Sequence, residues 1–133
     1  MGNIFLPEEL YYSRSHEWFQ IDEYLATMGL TPIALEKLGE VLYLDLPEDG
    51  QNTSPQQVIG SIESVRQIHD VISSLTGTVL EINQALLDDP SLINDDPFGE
   101  GWLFKIEIDN ERDLAQLLRS PEYKKFCEEL PAT

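Results

Sequence analysis

The chain has 133 residues, in which 25 Asp and Glu stand against 8 Lys and Arg, so its formal net charge is −17 and its pI is near 4.1. This acidity excludes proteins that bind nucleic acid or an anionic membrane through phosphate contacts, because such proteins gain affinity from Lys and Arg. Leu, Ile, Val and Phe supply 40 residues, enough for a folded core. The length predicts one domain.

The single cysteine and the N-terminal sequence indicate in which cellular compartment the protein is found. The single Cys127 has no disulfide partner and no zinc-ligand spacing, which predicts a reducing location in the cytoplasm or an organelle matrix and no structural metal. No apolar run suits a signal peptide or a membrane span. We assign residues 1–10 to a loosely held N-terminal leader and residues 11–133 to a single domain.

Short β-like runs dominate the first part of that domain. Residues 18–21 and 24–28 are predicted to pair as a hairpin around Asp22-Glu23. Thr31 can cap a short helix that starts at Pro32 and ends at Gly39. A strand is predicted over 41–46, where a proline follows.

Further strands and a helical tail follow. Two strands, 58–65 and 68–72, are predicted to meet at a two-residue turn, and further strands are predicted over 78–82 and 102–108. Helical spacing at 114–118 and a cap at Ser120 predict C-terminal helices. The expected fold is mainly β (α+β), a sandwich or partly open barrel with a short internal helix and C-terminal helices.

Three patterns in the sequence are candidate sites of chemistry. His16 and His69 have acidic neighbours, but no nucleophile motif accompanies them, so an enzyme using either histidine has weak support. The acidic loop over 88–97 lacks the residue order of a calcium loop. Gly99-Glu100-Gly101 lacks the Lys and Ser/Thr of a phosphate loop, and a turn with positive φ is expected there instead.

Several motifs, in order and at matching spacing from Tyr11 to Phe126, resemble the glycine cleavage system H-protein family. They are Ser-His-Glu-Trp (15–18), Leu-Gly-Glu-Val (38–41), Asp-Leu-Pro-Glu-x-Gly (45–50), Glu-Ser-Val (63–65), Asp70, Gly-Thr-Val-Leu-Glu-Ile-Asn (77–83), Asn-Asp-Asp-Pro-Phe-Gly-Glu-Gly-Trp (94–102) and Glu-Tyr-Lys-Lys-Phe (122–126).

The resemblance implies a barrel-sandwich hybrid fold related to lipoyl domains. It also implies a carrier in glycine catabolism, with lipoate amide-linked to a lysine at the hairpin tip. That arm would take an aminomethyl group from glycine decarboxylase to the aminomethyltransferase and be reoxidised by dihydrolipoyl dehydrogenase. The carrier itself would catalyse no step, so no enzyme activity and no catalytic residue are expected.

Arg66 stands where the family has its lipoyl lysine, and the residues after it are bulkier than is usual there. A guanidinium is delocalised and stays protonated, so it cannot attack an acyl-adenylate. Lys37, Lys105, Lys124 and Lys125 are expected far from the tip. No cofactor is therefore expected, and the predicted site is Arg66 with its hairpin neighbours Glu63, Ser64, Val65, Gln67, His69 and Asp70.

Two functional hypotheses follow. The first is a homologue without lipoate that binds proteins, among them glycine-cleavage or lipoylation enzymes, as a scaffold or regulator. The alternative is an authentic carrier of the aminomethyl group.

Arg66 is the only Lys or Arg in residues 38–104, a stretch that contains 12 Asp and Glu residues. It is either an unimportant surface residue, a residue held by Glu63 and Asp70 across the hairpin, or an anchor for a partner's carboxylate.

Overall fold

The computed structural model describes residues 4–130, and this part of the chain forms nine β-strands, four short α-helices and one 3₁₀-helix. The strands are β1 (Tyr11–Tyr12), β2 (Glu17–Asp22), β3 (Leu25–Leu30), β4 (Val41–Asp45), β5 (Asn52–Thr53), β6 (Val58–Ser64), β7 (Ile68–Ile72), β8 (Gly77–Ile82) and β9 (Phe104–Ile108). The helices are α1 (Pro32–Leu38), α2 (Gln84–Asp88), α3 (Leu92–Asp95), the 3₁₀-helix Glu111–Gln116 and α4 (Ser120–Glu128).

The strands form two antiparallel sheets. The larger has six strands in the order β1-β2-β3-β9-β8-β5, and the smaller has three in the order β4-β6-β7. Their inner faces share one core, in which Phe19, Met28, Ile62, Val79 and Phe104 are fully buried. The smaller sheet therefore covers the larger one and carries the predicted hairpin on its β6–β7 pair.

Local signals predicted the first hairpin and the internal helix correctly. Strands β2 and β3 pair as a hairpin, with Phe19 opposite Met28. Thr31 caps α1 through its side chain, and Gly39 follows the helix with φ 73°. That φ lies in the left-handed region, which glycine adopts without strain. The mainly β class with short helices is confirmed.

Other elements depart from the sequence prediction. The two-residue strands β1 and β5 were not predicted, and residues 117–118 are extended rather than helical. Leu118 pairs with Tyr12 through two backbone hydrogen bonds of 2.7 Å, which removes it from the helix. Ser120 is the first residue of α4 rather than its cap.

The turn before β9 was also predicted with the wrong geometry. Among the described glycines only Gly39 and Gly50 have positive φ. Gly101 is needed for close packing instead, because a Cβ there would stand 2.8 Å from the Asp96 carbonyl oxygen and from the Cα of Ile93.

A second apolar cluster joins α4 to the outside of the larger sheet. It contains the buried residues Leu10, Tyr12, Trp18, Ile33, Tyr123 and Cys127. The rings of Tyr12 and Tyr123 stack at 4.8 Å, and the Tyr12 hydroxyl donates to the Pro7 carbonyl. Residues 7–10 are therefore packed on the domain, unlike the loosely held leader that was expected, and residues 1–3 lie outside the described part. Between residues 4 and 130, no helix is long and apolar enough to cross a membrane.

Candidate functional site at the β6–β7 hairpin

The hairpin turn contains three residues, 65–67, and not the predicted two, because β6 ends at Ser64. The Ser64 hydroxyl accepts from the backbone N–H groups of Arg66 (3.2 Å) and Gln67 (3.1 Å) and donates to the Gln67 carbonyl (3.0 Å). Its one donor and two lone pairs are thus all used inside the turn. One buried side chain therefore fixes the turn's conformation.

Arg66 folds back onto the end of α1. Its Nη1 donates to the carbonyl oxygen of Glu36 at 2.8 Å. A helix leaves its last carbonyl groups without partners inside the helix, and a cation is favourable there. The expectation that Glu63 and Asp70 hold Arg66 is wrong, because in residues 4–130 Arg66 forms a salt bridge with neither carboxylate.

The segment between α1 and β4 is held against the turn by other contacts. The Val65 N–H donates to the Glu40 carbonyl at 3.0 Å. On the other side, Asn94 donates to the Gly39 carbonyl and accepts from the Val41 N–H. The hairpin turn, the end of α1 and α3 therefore form one junction.

The predicted distance of the lysines from the turn is wrong for one of them. Lys37 lies in the last turn of α1, and its neighbour Glu36 provides the carbonyl that binds Arg66. The backbone of Lys37 is thus beside the turn. Lys105 is on β9, and Lys124 and Lys125 are on α4.

The other predicted site residues divide between the two faces of the smaller sheet. Val65, Gln67, Glu63 and Asp70 are exposed, whereas His69 points inward and is half-buried. Glu63 pairs with Ile68 across the hairpin and Asp70 with Ser61. The outward face is therefore acidic, and the inward face carries an imidazole.

That imidazole meets a buried carboxylate which the sequence analysis did not select. Glu17 is fully buried, and its Oε1 accepts from the hydroxyls of Ser13 (2.6 Å) and Ser15 (2.5 Å). Its Oε2 lies 3.6 Å from Nε2 of His69, and in the described residues neither of these two atoms has a hydrogen-bond partner. The pair joins β7 to β2.

His16 lies in the same region with a left-handed backbone, φ 72°. Its Nδ1 is 2.7 Å from the Tyr123 hydroxyl, which is also 2.8 Å from Thr31 Oγ1. Burial, with Lys37 and His69 nearby, lowers the pKa of His16 to about 4, so the ring is neutral near pH 7. Burial raises the pKa of the Tyr123 hydroxyl, which therefore also stays neutral.

The structure thus forms two pairs, His16 with Tyr123 and His69 with Glu17, which the sequence analysis missed. The burial of Glu17 could have been predicted from the alternation along β2. Glu17 lies two residues before Phe19, so both side chains point to the same, inward face of the sheet. The contact with Tyr123 spans 107 residues and has no local signal.

Two carboxylates of the acidic loop accept hydrogen bonds from residues of the same loop. Asp89 accepts from the N–H and hydroxyl of Ser91, and Asp96 accepts from the Glu100 N–H. Across residues 4–130, no three His, Cys, Asp or Glu side chains come together as a metal site.

Comparison with known proteins gives consistent matches. A family model of the glycine cleavage H-protein matches residues 10–130. The glycine cleavage system H protein of Thermotoga maritima is 47% identical over 116 residues, covering 87% of this chain and 94% of that protein. Glycine cleavage system H protein 2, mitochondrial, of Arabidopsis thaliana is 39% identical, covering 92% of this chain and 78% of that protein. A crystal structure of a glycine cleavage system H protein from Mycobacterium marinum superposes with a TM-score of 0.84 at 31% identity, covering 92% and 99% of the two chains.

Two antiparallel sheets around one core, with a hairpin on the smaller sheet and a few short helices, make this fold a barrel-sandwich hybrid, as predicted. The chain belongs to the glycine cleavage H-protein family. Membership of this family confirms that the chain is not itself an enzyme, and it supports partners that are proteins.

Proposed function

We propose that this family member carries no lipoate and acts by binding, as a scaffold or regulator of lipoate-linked enzymes of glycine catabolism. The main support for this proposal is the identity of the residue at the hairpin turn, Arg66. Attachment through an amide needs a primary amine there, and residues 64–68 offer only the guanidinium of Arg66. A guanidinium is protonated and delocalised, so the turn does not fit an amide-linked group.

The position of Arg66 supports the same proposal. Its side chain is engaged with the Glu36 carbonyl at 2.8 Å and lies along the end of α1. A swinging arm needs a side chain that projects freely from the turn. Ile68, which begins β7, adds an exposed apolar side chain where an attaching enzyme would approach.

The authentic carrier is the second candidate, and the curated relatives named glycine cleavage system H protein favour it. A carrier would need another attachment point, and Lys37 is the lysine whose backbone lies beside the turn. Lysine offers the primary amine that arginine lacks. The two candidates therefore differ in where, and whether, lipoate is found.

The intact mass of this chain, measured after co-expression with lipoate ligase in the presence of lipoate, distinguishes the two candidate functions. We expect an unmodified chain, whereas a gain of one lipoyl group would overturn the proposal. Peptide mapping with a Lys37→Arg variant would show whether any such gain lies at Lys37. A lipoyl domain with an intact lysine, expressed alongside, confirms that the ligase is active.

An Arg66→Lys variant provides the matched comparison. If Arg66 alone prevents attachment, this variant gains one lipoyl group under the same conditions. An unmodified Arg66→Lys chain would mean that the surface around the turn has also diverged, as the bulk of Ile68 suggests. Both outcomes fit a chain without lipoate in its native form.

A further inference from the structure

We propose that the outer face of the smaller sheet, beside the hairpin turn, docks a protein whose contact surface combines apolar side chains with Lys and Arg. This inference rests on the proposed function, because it names the surface through which binding occurs. The apolar part, called the outer patch here, consists of Leu42, Tyr43, Val65 and Ile68.

The outer patch is exposed although its side chains are apolar. The exposed fractions are 52% for Leu42, 60% for Tyr43, 56% for Val65 and 64% for Ile68. Single exposed apolar side chains are common on protein surfaces, but a group of them marks an interaction site. Leu80 on β8 and Leu87 on α2 are also exposed but lie on other elements, and the exposed Val58 lies at the far end of β6, paired with Ile72.

The strand register places these side chains together. Tyr43 pairs with Glu63, and Glu63 pairs with Ile68, so the three lie in one row across β4, β6 and β7. The side chains of paired residues in antiparallel strands point to the same face. Val65 follows in the turn and contacts the connection that leads from α1 into β4.

A bulge in β4 enlarges the apolar row. Val41 pairs with Ser64 and Tyr43 pairs with Glu63, which leaves Leu42 as an extra residue on β4. In a regular strand Leu42 and Tyr43 would point to opposite faces, but both are exposed here. Bulges re-aim side chains and are retained where that serves function. The bulge therefore exposes two large apolar residues in succession.

Carboxylates lie within and beside the outer patch. Glu40, Asp45, Glu63 and Asp70 are all exposed, and Asp45 and Asp70 occupy the next row of the same face through their shared pairing with Ser61. Arg66, the cation of the hairpin, is engaged with the Glu36 carbonyl. The face therefore combines exposed apolar side chains with carboxylates, of which Glu63 lies between Tyr43 and Ile68, and this is complementary to an apolar surface that also carries cations.

The same charges argue against other occupants. Two copies of this chain placed face to face would bring two sets of four carboxylates together, and like charges across an interface oppose association. An anionic membrane is repelled for the same reason. A basic protein surface is the occupant that the charges favour.

The test uses purified glycine decarboxylase, aminomethyltransferase, dihydrolipoyl dehydrogenase and lipoate ligase, each immobilised, with this full chain as the analyte in biolayer interferometry. We expect the wild type to bind at least one of them. The double variant Tyr43→Ser/Ile68→Ser is expected to weaken that binding about tenfold or more, since a few large side chains carry most of the affinity of an interface. The control Leu80→Ser/Leu87→Ser removes two exposed apolar side chains elsewhere and should bind within about twofold of the wild type.

The carboxylates of this face have their own pair of variants. Glu63→Gln/Asp70→Asn should lower the association rate more than the control Asp88→Asn/Glu107→Gln, which removes the same charge from other elements. Circular dichroism and thermal unfolding of each variant check that the fold is retained, and Ile68→Ser alone replaces Tyr43→Ser/Ile68→Ser if the double variant unfolds.

Each outcome has a separate meaning. Wild-type binding that the patch variants do not change would overturn this surface and leave the proposed function standing. A wild type that binds none of the four enzymes would overturn the proposed function and the surface with it. Concentration-dependent dimers in sedimentation velocity that Ile68→Ser abolishes would show a second copy as the occupant and overturn the inference.

Discussion

Ser64 holds the hairpin turn through three hydrogen bonds of its hydroxyl, and the Ser64→Ala variant would lose them all. We expect the free energy of unfolding to fall by about 1–2 kcal/mol, because water can reach some of the freed backbone groups. The midpoint of urea unfolding should fall with an unchanged m-value, and amide exchange at residues 65–67 should accelerate. Ser61→Ala on the same strand is the control and should be neutral within about 0.5 kcal/mol. Equal stability of the two variants would contradict this role of Ser64.

His16 makes stability depend on pH because burial lowers its pKa to about 4 in the folded chain, below the unfolded value of about 6.5. Between these values the unfolded chain binds more protons, so stability contributed by the neutral ring is lost as pH falls from 6.5 towards 4. We expect the stability of wild type relative to His16→Asn to decrease over that window. Asn suits the left-handed backbone at this position. An NMR titration that places the His16 midpoint near 6.5, or a flat difference curve, would contradict the prediction.

At the scale of elements, those with local signals were predictable. The helix α1 has a capping Thr31, a Pro32 at its first position and a Gly39 at its end, all within nine residues, and its bounds were predicted correctly. Strand β5 has only two residues and forms because Gly77 and Thr78 pair with it. Leu118 fits a helical pattern but pairs with Tyr12 instead. Elements that depend on a distant partner escaped the sequence analysis.

The candidate site follows the same rule. The hairpin and the exposure of Arg66 follow from alternation and turn position, which are local. The contact of Arg66 with Glu36 joins residues 30 apart, and no pattern in the hairpin specifies it. The bulge that exposes both Leu42 and Tyr43 likewise arises from pairing with β6. Position in the sequence thus identified the turn, but only the packed fold shows which way its side chains lie.

For the whole molecule, the net charge of −17 should increase the rate of association with a basic partner. Steering by charge acts before contact and is screened by salt, whose Debye length is about 10 Å at 0.1 M. For the enzyme that binds the wild type, raising NaCl from about 50 to about 500 mM should lower the association rate about tenfold or more, while the dissociation rate changes less. The Asp88→Asn/Glu107→Gln variant should show a slightly weaker salt dependence, since long-range steering depends on the total charge. An association rate independent of salt, or a loss of affinity that arises only from faster dissociation, would mean that the acidic surface does not guide the encounter.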